Sequence, residues 1–233
     1  MSNSALLKSS LVKKYWMSAT GLFLCLFLAG HLAGNLQLLI SPENGARDAF
    51  NMYGKFMTTN IFVKVLSIVT YISILFHAID GIILTIQNRR ARPVRYVKET
   101  PSASSSWASR NMALLGTVML VFIVLHMLAF WKRMHFGPIE TYIAANGEEL
   151  KDLYSITVLS FKDADNGLIV CMIYLVAMIA IAFHLMHGFQ SAFQSVGIRH
   201  PKYTPLIKKV GYGFALLVPL LFAIIPFYIR FML

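Results

Sequence analysis

The stretch LIVCMIYLVAMIAIAFHLMHGFQSAFQ, Leu168–Gln194, runs for 27 residues without an Asp, Glu, Lys or Arg. At 1.5 Å per residue, a helix of that length crosses a hydrocarbon core of about 30 Å. Two histidines, His184 and His187, nonetheless stand in it. The run predicts a membrane-spanning helix. Its histidines need partners, because polar groups are costly in hydrocarbon.

Four more runs meet the same length requirement: Met17–Ile40, Ile61–Gln87, Asn111–Trp131 and Leu206–Met232. The composition agrees. The 233 residues are 57% hydrophobic and 13% charged, with mean hydropathy +0.64, whereas soluble domains carry about 25% charge. Residues 1–233 read as one membrane domain with five transmembrane helices. No repeat or separate soluble domain is left over. The opening MSNSALLKSSLVKKYW lacks a long apolar core and a small-residue cleavage site, so the first span is expected to stay as an anchor. Within it, Leu6–Trp16 suits a short interfacial helix ending in an aromatic anchor. In the last run, Pro205 fits a helix start, while Pro219 and Pro226 should bend the helix.

The net charge of +11 is distributed as membrane topology predicts. One side of the spans collects thirteen Lys/Arg (Lys8, Lys13, Lys14, Arg89, Arg90, Arg92, Arg95, Lys98, Arg110, Arg199, Lys202, Lys208, Lys209) and one acid, Glu99. The other carries six basic residues against eight acids. The positive-inside rule makes the first side cytoplasmic, with the N-terminus inside and the C-terminus outside. Basic loops of this kind are a topology signal, and no nucleic acid is expected as a partner. The two cysteines, Cys25 and Cys171, lie in separate spans. They imply neither a disulfide framework nor an iron–sulfur or zinc site.

Five of the seven histidines fall inside the spans: His31, His77, His126, His184 and His187. Counting along each helix places His31 and His126 about 4 and 7 Å outside mid-span. His77 and His184 lie about 4 Å inside it. Four helices thus offer two pairs, His31 with His126 at the outer level and His77 with His184 at the inner level. Two neutral imidazoles facing each other across an apolar slot suit the axial positions of a b-type haem, and no C-x-x-C-H occurs for a thioether link. Two levels about 10 Å apart would carry electrons across the bilayer. Zinc wants four ligands at one site. A proton relay needs ionisable partners, and Asp80 is the one deep acid.

Gly21, Gly30, Gly34, Gly81 and Gly188 are consistent with close approach of a flat macrocycle or with ordinary small-residue helix packing. Asn35, one turn after His31, is placed to hydrogen-bond across helices. His187 follows His184 by three positions and is open to three readings: a ligand, a propionate partner or a quinone contact. His184 is preferred as ligand because its depth matches His77. The long connection Lys132–Asn166 is expected to fold against the helix ends.

KKYWMSATGLFLCLFLAGHLAGNLQ (Lys13–Gln37), FHAIDG (Phe76–Gly81), LHM (Leu125–Met127) and FHLMHGFQSAF (Phe183–Phe193), in this order and spacing, resemble one family. It is the dihaem, five-helix cytochrome b subunit of succinate dehydrogenases and quinol:fumarate reductases, and the likeness covers nearly the whole chain. The resemblance implies a haem-binding four-helix bundle with a fifth packing helix. Two haem b groups would be held by His31 and His126 (outer) and His77 and His184 (inner), with His187 nearby but not a ligand.

The resemblance also implies partners: a flavoprotein subunit with FAD, an iron–sulfur subunit, membrane lipid, and a quinone substrate, menaquinone with this type. It implies the bacterial cytoplasmic membrane, and it leaves the succinate or fumarate chemistry to the partner subunits. Some family members carry an acid two residues before the fourth ligand; here that position is Ala182, so a proton route through this helix is in doubt. A quinone needs hydrogen-bonding groups near a haem. Candidates are Glu43, Arg47, Asp48 and Lys55, read as a charged loop before the second span, together with Asp80. Asp80 alternatively pairs with Arg89 or Arg90. Two rival readings remain: a dihaem cytochrome b subunit of a hydrogenase or formate dehydrogenase, and a transporter with structural histidines.

Overall fold

Asn60 starts the second span. Its side-chain Oδ1 accepts the backbone N–H of Phe62 at 2.9 Å and of Val63 at 3.3 Å, satisfying donors that a helix start leaves without partners. Apolar residues then continue without a breaker to Arg90. The computed structural model describes residues 10–91 and 105–233. In chain order the helices are α1 (Ser10–Asn35), α2 (Ala46–Thr59), α3 (Ile61–Arg90), α4 (Trp107–Arg110), α5 (Met112–His126), α6 (Lys132–Phe136), α7 (Leu153–Lys162), α8 (Gly167–Ser195) and α9 (Thr204–Met232). A two-stranded antiparallel hairpin, β1 (Thr141–Ile143) and β2 (Glu149–Lys151), lies between α6 and α7.

Five helical stretches are long and apolar enough to cross a membrane: Leu11–Leu39, Ile61–Arg90, Met112–Phe136, Gly167–Ser195 and Thr204–Met232. The five expected spans are all present. Large apolar side chains along them face outward, Phe62 at 77% and Leu26 at 70% exposure; such surface calls for lipid rather than water. The chain is an all-α, multi-pass integral membrane protein.

The separate interfacial helix is not found among the described residues. Ser10–Trp16 continues without a break into the first span as part of α1, because nothing in LVKKYWM breaks a helix. Leu6–Ser9 lie outside the described residues, as do Lys8, Arg92, Arg95, Lys98, Glu99 and most of the Ala91–Ser106 connection. The third span is composite: α5, one π-helical turn (Met127–Trp131) and α6 run on continuously. Pro219 and Pro226 lie inside α9.

The chain divides into two units, and each takes segments of the same long helices. One comprises Met1–Phe27, Val69–Val118 and Ala180–Leu216; the other comprises Leu28–Ile68, Met119–Ile179 and Leu217–Leu233. The first buries Leu115, Ile181, Leu185 and Ala215, with Trp107 edge-on to Phe183 at 5.2 Å. The second buries Leu38, Leu150, Phe161, Cys171 and Ile229.

The second unit also holds a polar layer built from α2, the hairpin and α7. The hairpin turns at Asn146–Gly147, where φ is +81° at Gly147, a conformation that glycine adopts without strain. Asp152 caps α7 through Ser155 N–H at 3.1 Å. It also accepts from Arg47 Nη2 at 2.5 Å and from Asn51 Nδ2 at 3.1 Å. Asn51, 1% exposed, accepts the N–H of Tyr154 at 2.9 Å. Lys132–Asn166 is thus a folded layer rather than a slack loop, as the sequence led one to expect.

Candidate functional site: two histidine pairs

The first unit contains the pair His77 and His184, from α3 and α8. Their ring centroids lie 6.1 Å apart with 61° between planes. His77 Nδ1 is 3.2 Å from Thr20 Oγ1. The Thr20 hydroxyl donates to the carbonyl of Trp16 at 2.8 Å, so its oxygen is left to accept, and the His77 hydrogen belongs on Nδ1. Nε2 of His77 therefore keeps its lone pair. Gly21, next along α1, makes the room: a Cβ there would stand 3.1 Å from His77 Cε1. On the other side of the pair, His184 Nδ1 is the one buried side-chain nitrogen or oxygen without a hydrogen-bond partner among the described residues. Such a group is rare in folded proteins and asks for an explanation.

The second unit contains the pair His31 and His126, from α1 and α5, with centroids 5.9 Å apart and 81° between planes. His126 Nδ1 lies 2.9 Å from the Tyr174 hydroxyl of α8. Phe122 and Phe130, one turn either side of His126, pack on its ring at 5.7 and 5.3 Å. Phe222 of α9 packs on His31 at 5.6 Å. The fifth span therefore does more than fill space; it supplies a wall of this site. Asn35 does not reach across helices. Its Nδ2 donates back to the His31 carbonyl at 2.8 Å and lies 3.4 Å from His31 Nδ1.

The pairing counted from depth is the pairing that the structure brings together. His187, half-buried one turn along α8, has no ring contact with His77 among the described residues; His184 makes that contact. Asp80 is half-buried and forms no ion pair with Arg89 or Arg90. No three His, Cys, Asp or Glu side chains converge among the described residues, so each site offers two imidazoles and not a zinc-like set.

The charged loop read before the second span is a helix. Arg47, Asp48 and Lys55 lie on α2, and each is engaged. Arg47 pairs with Asp152, Lys55 with Glu148 at 2.5 Å, and Asp48 accepts from Tyr142 OH at 2.7 Å and Ala145 N–H at 2.9 Å. Those two bonds hold the Asp48 carboxyl below its ordinary range, and Lys55 does the same for Glu148. For Asp152, burial pushes upward, but the bonds from Arg47, Ser155 and Asn51 prevail and lower it. Glu43, exposed in a short turn at Pro42–Asn44, is the candidate left outside this network.

Thr20, Tyr174 and Phe222 were not singled out from the sequence. Only Tyr174 carried a signal there, as a phenol in an otherwise apolar run. Fold and site together define a multi-pass helical membrane protein with paired imidazoles in its spans. No family model, curated protein or solved structure matches the chain, so any narrower reading rests on the residues themselves.

Proposed function

We propose that this chain is the membrane-anchoring dihaem cytochrome b subunit of a succinate:quinone or quinol:fumarate oxidoreductase. The observation that carries the reading is the spacing of the two pairs. With metal–nitrogen bonds of about 2 Å, two imidazoles on opposite sides of one iron have ring centroids about 6 Å apart. The separations of 5.9 and 6.1 Å match that. The residues fit in a second way, since the network around Thr20 leaves Nε2 of His77 free to ligate.

In this reading His31 and His126 hold one haem b, and His77 and His184 the other. Held between two imidazoles, haem would supply one-electron transfer. The chain's own part is to aim and insulate. Thr20 orients His77; Phe122, Phe130 and Phe222 exclude water around the other pair. Electrons pass between a flavoprotein–iron–sulfur pair of subunits, where succinate or fumarate reacts, and membrane quinone, menaquinone with this type. The protein sits in a bacterial cytoplasmic membrane with its N-terminus inside. Glu43 is the candidate closest to free for a quinone contact.

Membranes containing the assembled complex should show reducible b-type α-bands equal to two haems per chain. His126→Ala should remove one of them and leave the His77–His184 haem. Absence of bound haem from the wild type discards the reading. The co-purifying soluble subunits separate it from a hydrogenase or formate dehydrogenase.

A further inference from the structure

Tyr174 lies in α8, where a phenol in hydrocarbon needs a partner to offset its burial. Its hydroxyl has one: His126 Nδ1 at 2.9 Å. The ring is held from two directions. Phe122 meets it edge-on at 4.9 Å and 89°, and Phe161 of α7 at 5.1 Å and 85°. Phe122 also stacks on His126 itself, at 5.7 Å and 27°. Phe122 and Phe161 thus fix where the hydroxyl points, and it points at Nδ1 of the imidazole, the nitrogen other than Nε2.

We propose that Tyr174 is the positioning residue of His126: its oxygen takes the hydrogen on Nδ1, aims Nε2 at the metal and sets how strongly that nitrogen donates. The proposal rests on the dihaem reading above. A ligating histidine commonly gives its other N–H to an outer partner, which fixes the tautomer and raises ligand basicity. For His77 the partner is an aliphatic hydroxyl, that of Thr20. For His126 it is a phenol, whose lone pair is partly shared with the ring, so it accepts less strongly. The two haems are thereby given different ligand strengths by their outer partners. Removing the acceptor at His126 leaves the imidazole a poorer donor, favours the ferrous state and raises the potential of that haem alone.

The test is redox titration of both haems in membranes carrying the assembled complex. Tyr174→Phe keeps the packed ring and removes the acceptor; Tyr174→Gln offers a stronger one, an amide oxygen. The His31–His126 haem should shift upward with Phe and downward with Gln, while the other stays where it was. Should the Phe variant fail to retain that haem, the Gln variant should still retain it. No shift in the Phe variant, a downward shift, equal shifts in both haems, or loss of the haem in both variants overturns the role of Tyr174. A wild-type chain without haem would instead overturn the dihaem reading, so the two failures are distinguishable.

Discussion

Thr20 Oγ1 and His77 Nδ1 lie 3.2 Å apart, with the threonine hydrogen already committed to the Trp16 carbonyl at 2.8 Å. That single relationship settles which nitrogen of His77 carries a hydrogen and which has a lone pair to give. Thr20→Val keeps the shape of the side chain and removes the acceptor. In the proposed dihaem reading, the haem of the His77–His184 pair should then rise in potential, and the other should not move. Redox titration of the two α-bands measures the shift; an unmoved His77–His184 band in Thr20→Val would remove Thr20 as the acceptor for His77.

The pairing of the histidines was legible in the sequence because depth depends only on residue count and helix direction, and both survive errors of a few residues at helix ends. Azimuth does not survive them. One residue turns a helix by about 100°, so which side chain faces His126 from α8, or His31 from α9, lay beyond that count. Tyr174 and Phe222 were missed for that reason. The α2–hairpin–α7 layer was hidden by a different cause. Arg47 reaches Asp152 across 105 residues of sequence, and the period of a short segment says nothing about such a partner. With Gly54 in its middle and the β-branched Thr58 and Thr59 at its end, α2 has modest intrinsic helicity, and its packing supplies the rest.

Gly34 is needed because Tyr53 of α2 lies against it; an added Cβ would overlap the Tyr53 ring at Cε1, Cζ and Oη. Gly34→Ala should destabilise the chain by about 1–3 kcal/mol, the usual cost of overpacking. Tyr53→Ala removes the obstacle, so the double variant should be more stable than the sum of the two single losses predicts. Thermal unfolding of the four proteins in detergent completes the cycle. Additive losses would show that Gly34 is required for some other contact.

The network on Asp152 makes the polar layer acid-sensitive, and the sign follows from the direction of its shift. Its carboxyl titrates below its ordinary range when folded. Its stabilisation is therefore fully present above about pH 4, where the unfolded carboxyl is also ionised, and is lost as pH falls through the folded value. Asp48 and Glu148 act in the same sense. Asp152→Asn should cost about 2 kcal/mol at neutral pH, the scale of losing charged hydrogen bonds. The variant should then lose less on going from about pH 6 to about pH 3 than the wild type does. Melting temperatures across that range measure the difference; parallel curves would place the acid sensitivity elsewhere.

Asp48 and Glu43 were both candidates for a quinone contact in the sequence, and their surroundings in the structure differ. Asp48 holds Tyr142 and Ala145 of the hairpin, so Asp48→Asn disturbs the layer as well as any quinone nearby. A fall in turnover there would be ambiguous. Glu43 lies in the turn at Pro42–Asn44, exposed and outside the network that binds the other three charges. Glu43→Gln removes a carboxylate without removing a structural bond. If Glu43 exchanges a proton with quinone, turnover should fall about tenfold or more, in the range that positioned proton transfer contributes. The melting temperature and both haem spectra should stay as in the wild type. Unchanged turnover would remove Glu43 from the quinone site and return attention to Asp80, the half-buried acid one turn from His77.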